Sequence, residues 1–256
     1  MVRENLVALQ SILTKEVGRY FRIWVQTLLP PAITMSLYFV IFGNLIGSRI
    51  GEMGGVSYMA YITPGIIMMA VITNSYSNVV SSFFSAKFQR HIEELLVAPV
   101  PNIYILIGYV GGGMSRGLLT GAIVTAISLF FVDLEVHSYG VIFAVVLLTS
   151  TLFSTAGLIN AVFAKKFDDI SIVPTFVLTP LTYLGGVFYT ITLLPEFWQK
   201  VSLANPVLYM VNAFRYGFLG QSDIDLTTAF IIISAFIVVL FSFALYLLNT
   251  GKGLKS

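Results

Sequence analysis

The sequence predicts an all-α polytopic membrane protein: six transmembrane helices, an N-terminal amphipathic interface helix before them, and short re-entrant helices on the outer side. Three observations carry this reading. Six stretches are long and apolar enough to cross a bilayer, and Arg116 alone among charged residues falls clearly inside one. A hydrocarbon core about 30 Å thick needs roughly 20 residues of helix. Of the 256 residues, 57% are hydrophobic and 10% are charged, whereas a soluble domain carries about 25% charged residues. Finally, the basic residues divide unevenly between the two sides of such a bundle.

Residues 1–22 form the interface segment. Within 3–22, Leu6, Leu9, Leu13, Val17 and Tyr20 recur at spacings of three and four, with charges on the other faces. The pattern favours a helix lying on the membrane with its apolar stripe in the acyl boundary, over an ordinary helix packed on the bundle. This segment carries Arg3, Glu4, Lys15, Glu16, Arg19 and Arg22 and no unbroken apolar run, so no cleavable leader is expected.

The spans are expected at about 24–46, 57–85, 103–131, 139–163, 171–190 and 226–248. Trp24 stands at the entrance of the first, and Pro30-Pro31 fall in its first turns. Each must be helical, because unpaired backbone groups are too costly in lipid. Residues 191–225 are too many for a turn. Their apolar part, 206–220, is too short and too interrupted by Pro206, Gly217 and Gly220 to cross. Two short helices dipping into the outer leaflet, shielded by protein, are expected there. A small extracellular cap is the alternative, and both place Arg215 outside.

Arg3, Lys15, Arg19, Arg22, Lys87, Arg90, Lys165, Lys166, Lys252 and Lys255 fall on one side of this topology; Arg49, Lys200 and Arg215 fall on the other. The basic excess puts both termini in the cytoplasm.

Most chemistry is excluded. There is no cysteine, and the two histidines, His91 and His137, fall on opposite sides, so no metal centre is expected. A net charge of +2 gives no reason to expect nucleic acid. The one Gly-Lys pair, Gly251-Lys252, is followed by Gly253, and Tyr246 stands where a P-loop needs its first glycine. No zinc-protease HExxH occurs.

Four features remain. Gly113, Gly117 and Gly121, and likewise Gly108 and Gly112, repeat every four residues in span 3 and predict close helix packing. Arg116 among them is expected to face a cavity or a partner rather than lipid: an anionic substrate or lipid headgroup on one reading, a structural pair or snorkelling on the other. Asn74, Asn78, Ser81, Ser82 and Ser85 share one face of span 2. That face lines a translocation path or bonds to neighbouring helices, the second slightly favoured. The loop 86–101, AKFQRHIEELLVAPVP, contains a short amphipathic helix closed by Pro99 and Pro101. Phe88, Ile92, Leu95 and Leu96 make its apolar face; Lys87, Arg90, Glu93 and Glu94 make its charged one. Such a helix suits a groove on another protein, and its paired glutamates disfavour an anionic leaflet.

Together these segments resemble the permease subunit of ABC-2 type ATP-binding-cassette transporters over essentially the whole chain. The strings KFQRHIEELLVAPVP at 87–101, KFDDISIVPTFVLTPLTYLGGVFY at 166–189 and NPVLYMVNAFRYGFLG at 205–220 carry the resemblance. It implies a single transmembrane domain over 1–256 in a bacterial inner (cytoplasmic) membrane. The interface helix would include Lys15, Glu16 and Arg19. The loop at 86–101, through Phe88, Arg90, Glu93, Glu94 and Leu95, would dock on a separate ATPase subunit. The re-entrant segment would cover 191–225. The chain would pair with a second copy, hold no cofactor itself, and leave ATP and Mg to the partner ATPase. Asn74, Asn78, Arg116, Tyr183, Phe188 and Tyr189 are the candidate path residues, the three aromatics as an outer gate or as an interfacial belt. The family includes exporters of sugars, lipids and drugs.

Span 5, with Pro174, Pro180 and Gly185-Gly186, is the expected moving part. The rivals are an ion-coupled transporter or channel, or a membrane enzyme acting on lipids. The twelve acidic residues fall in loops, tails or span edges, which argues against proton coupling. Asp168-Asp169 has no histidine beside it and reads as a turn or helix cap.

Overall fold

The computed structural model describes residues 2–254; Lys255, counted above among the basic residues, lies outside them. Ten helices are numbered here. They are α1 (Val2–Arg22), α2 (Trp24–Ile50), α3 (Tyr58–Phe88), α4 (His91–Val97), α5 (Asn102–Ser128), α6 (Tyr139–Phe163), α7 (169–183), α8 (Glu196–Leu203), α9 (Pro206–Leu219) and α10 (Leu226–Thr250). A two-residue hairpin, β1 (Glu52–Met53) with β2 (Val56–Ser57), joins α2 to α3.

Five of these helices are long and apolar enough to cross a membrane: α2, α3, α5, α6 and α10. The stretch holding the expected fifth span, 171–190, runs from Phe167 beside Phe88 at one end to Phe188 beside Tyr58 at the other, but only part of it is helix. Its helix covers 169–183, fifteen residues, and the chain then turns through 184–189. At 1.5 Å per residue that helix is about 22 Å long, and the turn that follows it completes the passage to the Tyr58 end. The prolines explain its form. Pro180 has no N–H for the usual helical bond; the ladder widens over Pro174–Leu178, where Thr179 N–H closes a wider turn on the Pro174 carbonyl. The helix stops before Gly185-Gly186, the second of which has φ +70°.

Helix α3 is the axis of the bundle and is buried along almost its whole length. Helices α5, α6 and α9 surround it. The glycine pattern in α5 serves two faces. A Cβ at Gly108 would lie 2.6 Å from Ile12 Cγ2, and one at Gly112 would lie 2.5 Å from Glu16 Cβ, so this stripe admits α1. Gly113, Gly117 and Gly121 face Val79, Ser75 and Val71 of α3, with Ser154 and Ser150 of α6 beside the first two. In α6, Gly157 lets the backbone of α3 approach, with Tyr76 O 2.6 Å from a Cβ built there.

Helix α1 packs along α5, with Ile12, Glu16 and Tyr20 buried. The expected stripe is therefore displaced: Leu6 is exposed, and a glutamate sits at the centre of the contact face.

Helices α8 and α9 differ. Residues Val207–Arg215 of α9 are buried against α3, α6 and α10. Helix α8 leaves Phe197, Trp198 and Leu203 exposed. Asn205 starts α9 by accepting from Val207 N at 2.9 Å, and its amide donates to Leu181 O at 2.6 Å, tying α9 to the end of α7.

Candidate functional site

Three groups of polar or aromatic residues stand out, two at opposite ends of the bundle and one between α1, α3 and α5.

At one end, α3 runs into α4 through a tight turn. Arg90 adopts φ +63°, the one non-glycine with positive φ among the described residues, a sparsely populated conformation for such a side chain. Helix α4 anchors itself by Ile92, which is 1% exposed, while Leu95 is half-buried. Glu93 and Glu94 lie in the first turn of α4, where the helix dipole favours negative charge. Both are exposed and have no ion-pair partner among the described residues. Phe88 does not belong to the apolar face of α4, which corrects the expected face. It ends α3, is 61% exposed, and its ring lies 5.1 Å from that of Phe167. Lys87 caps α6, its ammonium donating to Val162 O at 2.5 Å and Ala164 O at 2.9 Å. A lysine there meets unpaired carbonyls at a helix C-terminus.

Between α1, α3 and α5 runs a polar network. Ser82 Oγ donates to Glu16 Oε1 at 2.5 Å, and Arg19 approaches Glu16 Oε2 at 3.5 Å. Arg19 also donates to Asn78 O at 2.9 Å and Asn78 Oδ1 at 2.8 Å. Arg116 donates to Asn74 Oδ1 at 2.9 Å and to Thr27 O at 3.0 Å. The last bond has a local cause. A regular helix would pair Thr27 O with the amide of residue 31, but Pro31 has none. The same logic recurs at Pro174, which frees Ile170 O for the Asn160 amide at 3.4 Å. Neighbouring polar groups complete proline-broken helices in this way.

Asn74, Asn78 and Arg116 thus come together as interhelical bonds. Glu16 is fully buried, although sequence reasoning counted it in a charged tail, so the bundle does hold one buried carboxylate. Lys15, one residue earlier, remains exposed.

At the opposite end, Tyr183, Phe188 and Tyr189 gather as expected. Tyr189 Oη donates to Tyr183 O at 2.8 Å, and the Tyr183 and Phe188 rings stack at 6.0 Å. Two residues that sequence reasoning missed complete the cluster: Phe42 stacks on Phe188 at 4.6 Å, and Tyr38 lies 6.0 Å from it. Their spacing of four on α2 was the available signal. Tyr58 at the start of α3 donates to Phe188 O at 3.2 Å. Deeper in, a cleft of about 220 Å³ between α2, α3 and α7 is lined by Met35, Tyr38, Thr73, Leu178 and Tyr183, among others.

Beside this cluster Arg215 is buried without an ion pair among the described residues. It donates through Nε to Tyr61 O at 3.3 Å and through Nη2 to Gly186 O at 2.7 Å, and it stacks 3.9 Å from the Tyr61 ring centroid. It fastens the turn after α7 to both α3 and α9.

Against known proteins, residues 7–219 match the family model for the ABC-2 type transporter. The chain belongs to the ABC-2 type transporter family. It is 64% identical over 250 residues to the inner membrane transport permease YadH of Escherichia coli K12, covering 98% of each chain. It is 23% identical over 214 residues to nodulation protein J of Neorhizobium galegae, covering 83% of this chain and 82% of that one. It is 24% identical over 209 residues to nodulation protein J of Rhizobium leguminosarum bv. viciae, covering 80% of each. The ABC-2 match spans everything from α1 to the end of α9, so all three residue groups fall within it.

Proposed function

We propose that this chain is the membrane permease of an ATP-driven exporter in a bacterial inner membrane, working as two copies with a separate ATPase subunit. Both termini and α4 face the cytoplasm, and the aromatic cluster with α8 and α9 faces outward. The observation that carries the docking assignment is the free acidic turn of α4, held at the end of the most buried helix in the bundle. The kinship with a protein named an inner membrane transport permease supports the setting. ATP binding would close the ATPase pair and move α4, and the work would come from the ATPase's different affinity for two conformations. The tight turns of α3 into α4 and the Lys87 cap on α6 would carry that movement into two helices at once. The path would run past the cleft between α2, α3 and α7 to the aromatic cluster.

The test is affinity capture of the chain from native membranes followed by an ATPase assay. A roughly stoichiometric ATP-binding-cassette subunit with vanadate-sensitive hydrolysis is expected. Glu93→Lys with Glu94→Lys should weaken that capture while membrane insertion is retained. Capture unchanged in the double variant would remove α4 from the docking surface, and reproducible recovery of the permease alone would remove the ATPase.

A further inference from the structure

A cavity of about 500 Å³ opens at the α4 end, between the last turn of α3, the C-terminus of α6 and the chain's last described residues. Its apolar lining includes Phe84 and Phe163. Three cations, Lys87, Arg90 and Lys165, face one carboxylate, Glu93. Two of the three Lys87 N–H groups are on the carbonyls of α6, and the third has no partner among the described residues. The side chains of Arg90 and Lys165 have no hydrogen-bond or ion-pair partner among the described residues. The strained backbone of Arg90 lies at this same mouth.

We propose that this cavity holds the phosphate headgroup of an anionic phospholipid, its acyl chains running along the outer faces of α6 and α10. The cationic excess at the end of membrane helices suits a lipid phosphate. The aromatic lining suits the glycerol and first methylenes, which a free phosphate does not have. The apolar route outward is on the same wall: the Phe163 ring stacks at 6.4 Å on Phe243, and α10 exposes Val238, Val239 and Phe243. Tyr246 of α10 accepts from Lys252 Nζ at 3.0 Å, an aromatic and basic pairing characteristic of headgroup depth. The cavity shares Phe88, Arg90 and Glu93 with the proposed docking loop, so lipid binding is read on the permease without the ATPase.

Native mass spectrometry of the delipidated full-length chain, titrated with phosphatidylglycerol, phosphatidylcholine or inorganic phosphate, tests it. Saturable binding of phosphatidylglycerol in clear preference to phosphatidylcholine is expected, weakening about fivefold for each cation removed in Arg90→Gln and Lys165→Gln. Lys165→Arg should bind like the parent. Equal binding of the two lipids, or phosphatidylglycerol binding indifferent to both glutamine variants, would overturn the proposal. So would inorganic phosphate displacing the lipid at equal concentration, which would make this a soluble-anion site. Glutamine variants that keep lipid but lose the captured ATPase would assign the cavity to that partner instead. If a glutamine variant does not fold, the ratio between the two lipids on the parent chain decides.

Discussion

Arg116 shows how a single costly residue is justified by a neighbour's defect. Its guanidinium bonds a carbonyl that Pro31 leaves without an amide, and so ties α5 to the first turn of α2. Arg116→Leu should destabilise the chain by about 2 kcal/mol, the cost of orphaned buried acceptors. Pro31→Ala restores the missing amide donor. In a double-mutant cycle the pair should therefore lose less than the sum of the singles, by about 1 kcal/mol; unfolding followed in mixed detergent micelles reads both numbers. Strict additivity would mean that the arginine serves something other than Thr27. From sequence alone Arg116 was expected to face a cavity or a partner, because lipid is costly for it, with snorkelling to the interface as the other reading. The sequence did not identify the partner, because the acceptor is a backbone atom that any residue type could supply at position 27. Glu16 was missed for the opposite reason. Its neighbours Lys15 and Arg19 made it look like surface charge, and only the Gly112 notch explains how a carboxylate reaches the interior.

At the scale of elements, glycine notches and helix caps decide the packing. Gly112→Val would drive its side chain into Glu16, with the first added atom only 2.5 Å from Glu16 Cβ. The expected result is separation of α1 from α5, read as increased protease cleavage within α1 while the other helices stay protected. Asp225 starts α10 by accepting from Thr228 N at 2.8 Å and Thr228 Oγ1 at 3.1 Å, and those bonds hold its carboxyl below the usual carboxylate range. With the folded value depressed, the cap's contribution is complete above the unfolded value of about 4 and is lost as pH falls through the folded value. Asp225→Ala should therefore lower the thermal midpoint at pH 7, and the gap from the parent should close on acidification below that range. Spans α3, α5, α6 and α10 were legible because hydropathy and length alone define them, and 139–163 agrees with Tyr139–Phe163 to the residue. Helix α7 was overextended because the apolar run continues through Gly185-Gly186, where hydropathy stays high but the backbone turns. The aromatic cluster was half legible: its members on 183–189 adjoin in sequence, whereas Tyr38 and Phe42 arrive from a distant helix that only the fold brings near.

For the whole molecule, the central fact is that one helix touches both ends. Helix α3 begins at Tyr58, which holds the Phe188 carbonyl of the aromatic cluster, and ends at Phe88, directly before the turn into α4. Its 31 residues make a rod about 46 Å long. Inserting two glycines near its middle should leave α4 able to capture the ATPase and the complex able to hydrolyse ATP, yet abolish ATP-stimulated transport in vesicles; retained transport would mean that the signal travels by another helix. In the proposed transporter such a rod would act as a lever, with its fulcrum at the crowded contact with α5 and α6, where Gly117 and Gly157 bring the backbones together. A rocking motion of about 5° about that point displaces each tip by about 2 Å, comparable to the width of one ring contact. The two tips move in opposite directions, so a push at one end becomes a pull at the other. In the proposed orientation, an outward door that opens when the inner end is drawn closed would need no further part than that reversal.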